Sequence, residues 1–179
     1  MIRGPEIAPK SEKYPAVVTI DLAPTFLDIA GLNASDYGMD GTSLWPILTD
    51  FQLRDYERDI LIEYHGEGGN GNDEACIAMI DDLANLAECG MDWGCKCQDA
   101  KNNTYACLRS LRTDVEDFLY CQFSDSENSE EFYDLRIDPY QLHNLVGYLG
   151  TGSLDRRLDH LRSCKGHQDC LRFNENEIF

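Results

Sequence analysis

Eight cysteines constrain the fold of this chain more than any other feature of its sequence. Seven of them fall between Cys76 and Cys164, in a chain of 179 residues. An even number of cysteines at irregular spacing is typical of disulfide-bonded proteins from oxidising compartments. A zinc site is the alternative, but Cys95 and Cys97 form a C-x-C, and no partner pair has the spacing of a zinc finger. The cysteines therefore predict disulfides.

The positions of the cysteines also suggest which of them pair. Cys164 and Cys170 bracket a short loop, so a local disulfide between them is easy to close. Cys107 and Cys121 can be joined if the two strands that carry them pair. The other four are expected to bond among themselves, in an order that the sequence leaves open: Cys76, Cys89, Cys95 and Cys97.

Two glycosylation triplets agree with a secreted or lysosomal protein. They are Asn33-Ala34-Ser35 and Asn102-Asn103-Thr104, and an unmodified asparagine is the alternative at each. We favour a glycan at Asn102, which precedes a predicted strand, more than at Asn33. The chain begins MIRGP, without the apolar segment of a signal peptide, so we expect that Met1 is not the natural start.

The charge of the chain limits its partners. A net charge of −18 repels phosphate and sulfate groups, so we expect no nucleic-acid partner. We interpret the acidity as a contribution to solubility. No apolar run approaches the 18 or so residues of a membrane-spanning helix, so no membrane span is expected.

Hydrophobic periodicity predicts a small α+β unit in the second part of the chain. A helix from Ser153 has Leu154, Leu158 and Leu161 on one face and charges on the other. Four stretches rich in β-branched and aromatic residues predict strands, the second and third of them joined as in an antiparallel meander: 59–64, 105–110, 118–123 and 131–135.

The first fifty residues predict two short helices. Asp21 is expected to cap the first helix, with Pro24 in its first turn and Gly31 at its end. These few elements cannot bury their own apolar faces, so we interpret residues 1–50 as the end of a larger domain. The second unit is predicted to span residues 51–179. It contains a disulfide-rich insertion around 74–100, with one helical turn near residues 80–83.

Several stretches occur in an order that resembles a known family. The first set is RGP at 3–5, IDLAPTFLDIAG at 20–31 and MDGTSL at 39–44. The second set is EYHGEG at 63–68, NNTYAC at 102–107, DPYQL at 138–142 and SCKG at 163–166. The first set resembles the late core of the sulfatases. The second resembles their N-acetylglucosamine-6-sulfatase branch and, in part, the extracellular endosulfatases of heparan sulfate.

The resemblance implies both a fold and a chemistry. Sulfatases hydrolyse sulfate esters with a formylglycine made from the cysteine of a C-x-P-S-R motif, beside a calcium ion held by carboxylates. They have a large α/β domain and a small C-terminal domain with a four-stranded antiparallel sheet and a helix. We therefore expect an α+β chain, the end of the α/β domain followed by this C-terminal domain. The implied substrate is the 6-O-sulfate of N-acetylglucosamine in heparan or keratan sulfate.

The chain departs from the family where catalysis takes place. No cysteine is followed by x-Pro-Ser-Arg, and no aspartate pair stands near an N-terminal strand. Asp81-Asp82 lies in the wrong domain and is interpreted as a solvated turn. No catalytic or metal-binding residue is therefore assigned. We expect the C-terminal portion of a sulfatase, inactive alone and packed on an N-terminal domain that carries calcium and formylglycine.

Four side chains are candidates for contact with a ligand. His65 and Glu67 lie in a Gly/Asn-rich loop after a predicted strand, and the resemblance places this loop near the mouth of the active site. They could hydrogen-bond sugar hydroxyls, and a flexible polar loop is the alternative. Arg109 and Arg112 could hold a sulfate or carboxylate, but we favour salt bridges with nearby acids.

A function of another class stays open. The chain could be a non-catalytic, disulfide-rich extracellular module that binds carbohydrate. An upstream coding region with C-x-P-S-R and paired aspartates would favour the sulfatase interpretation, whereas a stop codon and a promoter there would favour the module.

Overall fold

A four-stranded antiparallel sheet is the centre of the structure. The computed structural model of the chain describes residues 2–12, 16–50, 57–65, 80–81, 86–87, 104–112, 115–124, 128–171 and 173. Its strands are β1 Arg58–His65, β2 Ile80–Asp81, β3 Leu86–Ala87, β4 Thr104–Arg112, β5 Glu116–Phe123 and β6 Glu130–Asp134. The main sheet has the order β1-β4-β5-β6, and β2 pairs with β3 alone.

The described ranges contain four α-helices: α1 Leu22–Ile29, α2 Trp45–Thr49, α3 Gly152–Ser163 and α4 His167–Leu171. Short 3-10 helices cover Thr19–Asp21, Ala34–Tyr37 and Val146–Tyr148. The predicted α+β class, the four strands and the C-terminal helix are confirmed. The predicted helical turn near residues 80–83 is wrong for Ile80 and Asp81, which pair as a strand with Ala87 and Leu86.

One face of the sheet and one face of α3 form the core. Leu108 and Tyr120, from neighbouring central strands, are fully buried against Leu158 of α3. Leu154, Leu158 and Leu161 follow the helical spacing that the sequence predicts. The period of two along the strands and of three to four along the helix thus brings the two apolar surfaces together.

Two disulfides lie within the described part of the chain. Cys107 and Cys121 lie directly opposite each other in the register of β4 and β5, with Cα atoms 4.0 Å apart. Cys164 and Cys170 close a local loop between α3 and α4, with Cα atoms 5.1 Å apart. The other four cysteines lie outside the described residues.

A buried aspartate attaches the N-terminal segment to the sheet. The Asp21 side chain is fully buried, and both its oxygens accept from Nη1 of Arg58 in β1, at 3.0 and 2.9 Å. It also accepts from the backbone N–H of Val18, at 2.9 Å, and of Thr42, at 3.0 Å. Asp21 is the N-cap residue of α1, as predicted, but its side chain makes no capping hydrogen bond to that helix. The reason is that the carboxylate turns towards Arg58 and two loop amides.

The C-terminal loop contacts the same segment. The N–H groups of Gly166 and His167 donate to Asp40 Oδ1 at 2.6 Å and to Met39 O at 2.7 Å. Gly41 lies so close to the preceding chain that a Cβ atom there would stand 2.2 Å from Ile20 O. A side chain at position 41 would therefore push these segments apart.

The outer face of α1 is apolar and exposed. Leu22, Phe26 and Ile29 lie at helical spacing on one face and are 44%, 64% and 53% exposed. Pro24 and Thr25 of the same helix are buried. Because these three side chains are exposed, the apolar face of α1 is not covered by any of the described residues. The division at residue 50 stays a prediction.

We expect Asp21→Ala to lower the free energy of unfolding by about 3–5 kcal/mol, because the buried ion pair with Arg58 is lost. Asp36→Ala, at an exposed site in the same segment, is the control and should change it by less than about 0.5 kcal/mol. Urea unfolding at neutral pH measures both. Equal effects of the two substitutions would contradict a stabilising role for Asp21.

Candidate functional site

The candidate site lies at the end of the sheet where β1 ends and β4 begins. His65 and Thr104 are register partners there, so the segment 66–103 leaves and rejoins the sheet at one place. The structure describes His65 by its backbone alone. Glu67 and Asn102 lie outside the described residues. Of the predicted sugar-contacting pair, the structure therefore locates only the strand position of His65.

A row of aromatic rings crosses the sheet beside His65. Tyr64, Tyr105 and Phe123 are register partners on β1, β4 and β5. Their ring centroids are 5.7 Å apart between Tyr64 and Tyr105 and 5.5 Å between Tyr105 and Phe123. All three side chains are half-buried. The row was missed from sequence because the register that aligns the rings joins residues far apart in the chain.

The two candidate arginines are paired with acids, as favoured from the sequence. Arg109 contacts the carboxylate of Asp117 and donates to Phe118 O at 3.1 Å. Arg112 lies 3.2 Å from Glu116 and 3.6 Å from Asp59. Because these carboxylates already neutralise both cations, the arrangement does not favour a sulfate site here.

A third arginine, Arg157, fixes α3 to the sheet. Its guanidinium donates to both oxygens of Asp59 at 3.0 and 2.7 Å, and to Glu116 and Ser110 at 3.0 Å each. It also lies 5.3 Å from the ring centroid of Phe118. Burial lowers the pKa of Arg157, but the two carboxylates raise it by more. The expectation that the charges of this helix avoid its buried face is therefore wrong at Arg157.

A buried tyrosine contributes a second polar contact between α3 and the sheet. The Tyr120 hydroxyl donates to the carboxylate of Asp155, and Gln122 Nε2 donates to the same hydroxyl oxygen at 3.2 Å. Burial, together with the nearby carboxylate, raises the pKa of Tyr120. The phenol stays neutral at physiological pH, which suits a structural donor and not a general base.

The Asn33 triplet lies on the surface. Asn33 and Ser35 are exposed, and Asn33 Oδ1 accepts from the N–H of Ser35 at 3.1 Å. This contact starts the 3-10 helix Ala34–Tyr37. The side chain is accessible in this chain, and its glycosylation stays a prediction.

The described part of the chain offers no metal centre. Among the residues in those ranges, no three His, Cys, Asp or Glu side chains converge in a way that could hold an ion. In the same ranges, no helix is both long and apolar enough to cross a bilayer.

We expect the Arg157 cluster to give a pH-dependent contribution to stability. Partial burial raises the pKa of Glu116, but hydrogen bonds from Arg157 and Ser110 lower it by more. The net result is a pKa below the usual value of 4.5. The stabilisation is therefore complete above the pKa of the unfolded state and is lost as pH falls through the folded pKa. At neutral pH, Glu116→Gln should lower the free energy of unfolding by about 1 kcal/mol, a small amount because the side chain is partly exposed. Near pH 3 the substitution should lower it by less.

Chemical unfolding at several pH values measures this difference. The control is Asp159→Asn on the exposed side of α3, which should follow the wild-type pH dependence. A Glu116→Gln difference that grows as pH falls would contradict the expected sign.

The sequence of the chain is similar to those of curated sulfatases. No family model matches it. It is 39% identical over 169 residues to N-acetylglucosamine-6-sulfatase of Capra hircus, which covers 93% of this chain and 29% of the relative. A putative extracellular sulfatase of Caenorhabditis elegans is 44% identical over 77 residues, covering 41% of this chain and 10% of that protein.

A solved structure in complex with its substrate D-glucosamine-2-N,6-O-disulfate is also similar. It is 22% identical with a TM-score of 0.47, over 79% of this chain and 22% of that chain. That likeness is too weak to establish a shared fold. The sequence matches to curated relatives are stronger, although the chain spans only 29% of the goat protein. By sequence, the chain is similar to the sulfatases, as a C-terminal portion of the N-acetylglucosamine-6-sulfatases.

Proposed function

We propose that the chain is part of a sulfuric ester hydrolase that removes the 6-O-sulfate from N-acetylglucosamine units of heparan or keratan sulfate. The observation that carries the proposal is the 39% identity to N-acetylglucosamine-6-sulfatase, which extends over 93% of this chain. An identity spread over the whole chain favours a shared role in the same kind of enzyme, and not a single borrowed motif.

In this proposal, the chemistry lies outside the chain. Formylglycine needs a C-x-P-S-R motif, which the sequence lacks. The described residues also do not fit a calcium site. We therefore place both groups in the part of the relatives that this chain does not match, and we propose that the chain alone is inactive.

We propose that the chain packs on the α/β sulfatase domain through α1. The exposed face of Leu22, Phe26 and Ile29 is the kind of apolar surface that an interface covers. Asp21, directly before α1, is hydrogen-bonded to Arg58 in β1. This contact would hold the sheet, and with it the end of β1 at His65, in a fixed position relative to the catalytic domain.

We propose that His65 and Glu67 contact the sugar and that the aromatic row supports it. A neutral imidazole and a carboxylate can each hydrogen-bond hydroxyl groups, whereas the carboxylate of Glu67 would repel a sulfate. The half-buried rings of Tyr64, Tyr105 and Phe123 offer a row of apolar surfaces to the C–H face of a pyranose.

We propose a lysosomal or secreted location with N-glycans at Asn33 and Asn102. The disulfides Cys107–Cys121 and Cys164–Cys170 support an oxidising compartment, in which such bonds form and persist. The exposed side chain of Asn33 supports access for glycan transfer.

A chimera tests the proposed activity. We expect goat N-acetylglucosamine-6-sulfatase with its matching segment replaced by this chain to release sulfate from N-acetylglucosamine 6-sulfate, and the 179-residue chain alone to release none. His65→Ala in the chimera should raise KM about three- to tenfold with little change in kcat, because one sugar hydrogen bond is lost.

The matched control for this substitution is His143→Ala, at an exposed histidine next to Asn144, which bonds to β6 at the other edge of the sheet from β1. A folded chimera, with its formylglycine formed, that leaves the 6-sulfate intact would overturn the proposed activity. An unchanged KM for His65→Ala would overturn only the proposed role of that residue.

The isolated chain should behave as a protein with an uncovered interface. We expect it to bind a hydrophobic dye, and Phe26→Asp to reduce the fluorescence severalfold because it divides the apolar face of α1. Tyr148→Asp, at a residue that is 88% exposed elsewhere, is the control and should reduce it little. A monodisperse chain that melts cooperatively and binds no dye would instead favour the independent carbohydrate-binding module.

A further inference from the structure

β6 is the last strand of the main sheet, so one side of its backbone has no strand partner among the described residues. In an antiparallel ladder, the N–H and C=O groups of alternate residues point to opposite sides. The backbone N–H of Phe132 points to the side of β6 that faces away from β5, where it donates to Asn144. By the same alternation, the backbone groups of Glu130 and Asp134 also point to that outer side. Such an open edge is a template for pairing with another chain.

The segment 137–146, which we call the strap, covers this edge. The N–H groups of Ile137 and Asp138 donate to Asp134 O at 3.2 and 2.8 Å. The N–H of Leu145 donates to Phe132 O at 2.9 Å. Two of the three outward carbonyls of β6 are therefore bonded to backbone amides of the strap.

Asn144 completes the cover with its side chain. Its Nδ2 donates to Glu130 O at 2.9 Å, and its Oδ1 accepts from the N–H of Phe132 at 3.0 Å. The side-chain amide thus stands where the peptide group of a neighbouring strand would stand. Its Oδ1 also accepts from the N–H of Val146 at 3.0 Å, which holds the amide in place. An aspartate would keep the acceptor and lose the donor.

Hydrogen bonds, more than burial, hold the middle of the strap. Ile137, Tyr140 and Leu142 are 75%, 81% and 71% exposed, so they contribute little apolar burial. The carboxylate of Asp138 accepts from the N–H groups of Leu142 and His143 at 3.1 and 2.8 Å and keeps the strap folded back. Loss of the Asn144 amide should therefore open the edge without disturbing the core.

We propose that the strap is an autoinhibitory contact and that Asn144 keeps β6 from pairing with β6 of a second copy. Antiparallel pairing of two β6 strands about Phe132 is self-complementary, as two-fold symmetry requires. It would place Glu130 of each copy opposite Asp134 of the other, where Arg136 already pairs with Asp134 at 2.6 Å and reduces the repulsion. The inference concerns the sheet edge and does not rest on the proposed enzymatic function.

The test compares the oligomeric state of three variants of the 179-residue chain. The control is His143→Ala, in the same strap. In analytical ultracentrifugation, Asn144→Ala should associate as its concentration rises and reach about twice the mass of the control. Adding Glu130→Pro to Asn144→Ala should restore the control mass, because proline removes an outward N–H that the second copy needs. Association through α1 is common to all variants, so it cancels in this comparison.

Hydrogen exchange provides a second test, which can be made on the wild-type chain if a variant folds poorly. In the wild-type chain, the amides of Phe132 and Leu145 should exchange together, since one opening of the strap frees both. In dilute Asn144→Ala, the Phe132 amide should exchange roughly tenfold faster or more, with the β4–β5 amides unchanged. Any of three results would overturn the proposal. The first is an equal mass for Asn144→Ala and His143→Ala, and the second is association that survives Glu130→Pro. The third is a Phe132 amide that is unprotected from exchange in the wild-type chain.

Discussion

The buried ion pair of Asp21 and Arg58 is the contact on which the arrangement of the described residues depends. A carboxylate removed from water is costly unless it is paired and fully hydrogen-bonded, and Asp21 meets both conditions. Its partners come from the segment before α1, the loop before α2 and the first strand of the sheet. The pair therefore determines where α1, with its exposed apolar face, lies relative to β1 and the end of that strand at His65.

The features that depend on local periodicity could be predicted from the sequence. The alternation in β4 and β5 and the spacing of Leu154, Leu158 and Leu161 follow from the geometry of single elements. Features that depend on contacts between distant residues could not. The sequence alone suggests a helix cap for Asp21 and solvent for Arg157, because their true partners, Arg58 and Asp59, are distant in the chain.

The candidate site shows the same limit. The position of His65 at a strand end could be anticipated, since a β-branched run followed by glycines predicts a strand and a loop. The aromatic row beside it depends on the register of β1, β4 and β5, which no local pattern encodes. The proposals for a class of substrate and for the location of the missing chemistry rest on sequence similarity and not on the described residues.

The contact of the C-terminal loop with the loop before α2 has a consequence for biosynthesis. Gly166 donates to Asp40 across 126 positions of the chain, and the His167 ring meets Thr42 across 125. During translation, residues 39–42 leave the ribosome long before their partners exist. Contacts of such high sequence separation slow folding, because the long loop must close before its bonds form. Until then, residues 39–42 lack these contacts and the early segment is available to chaperones.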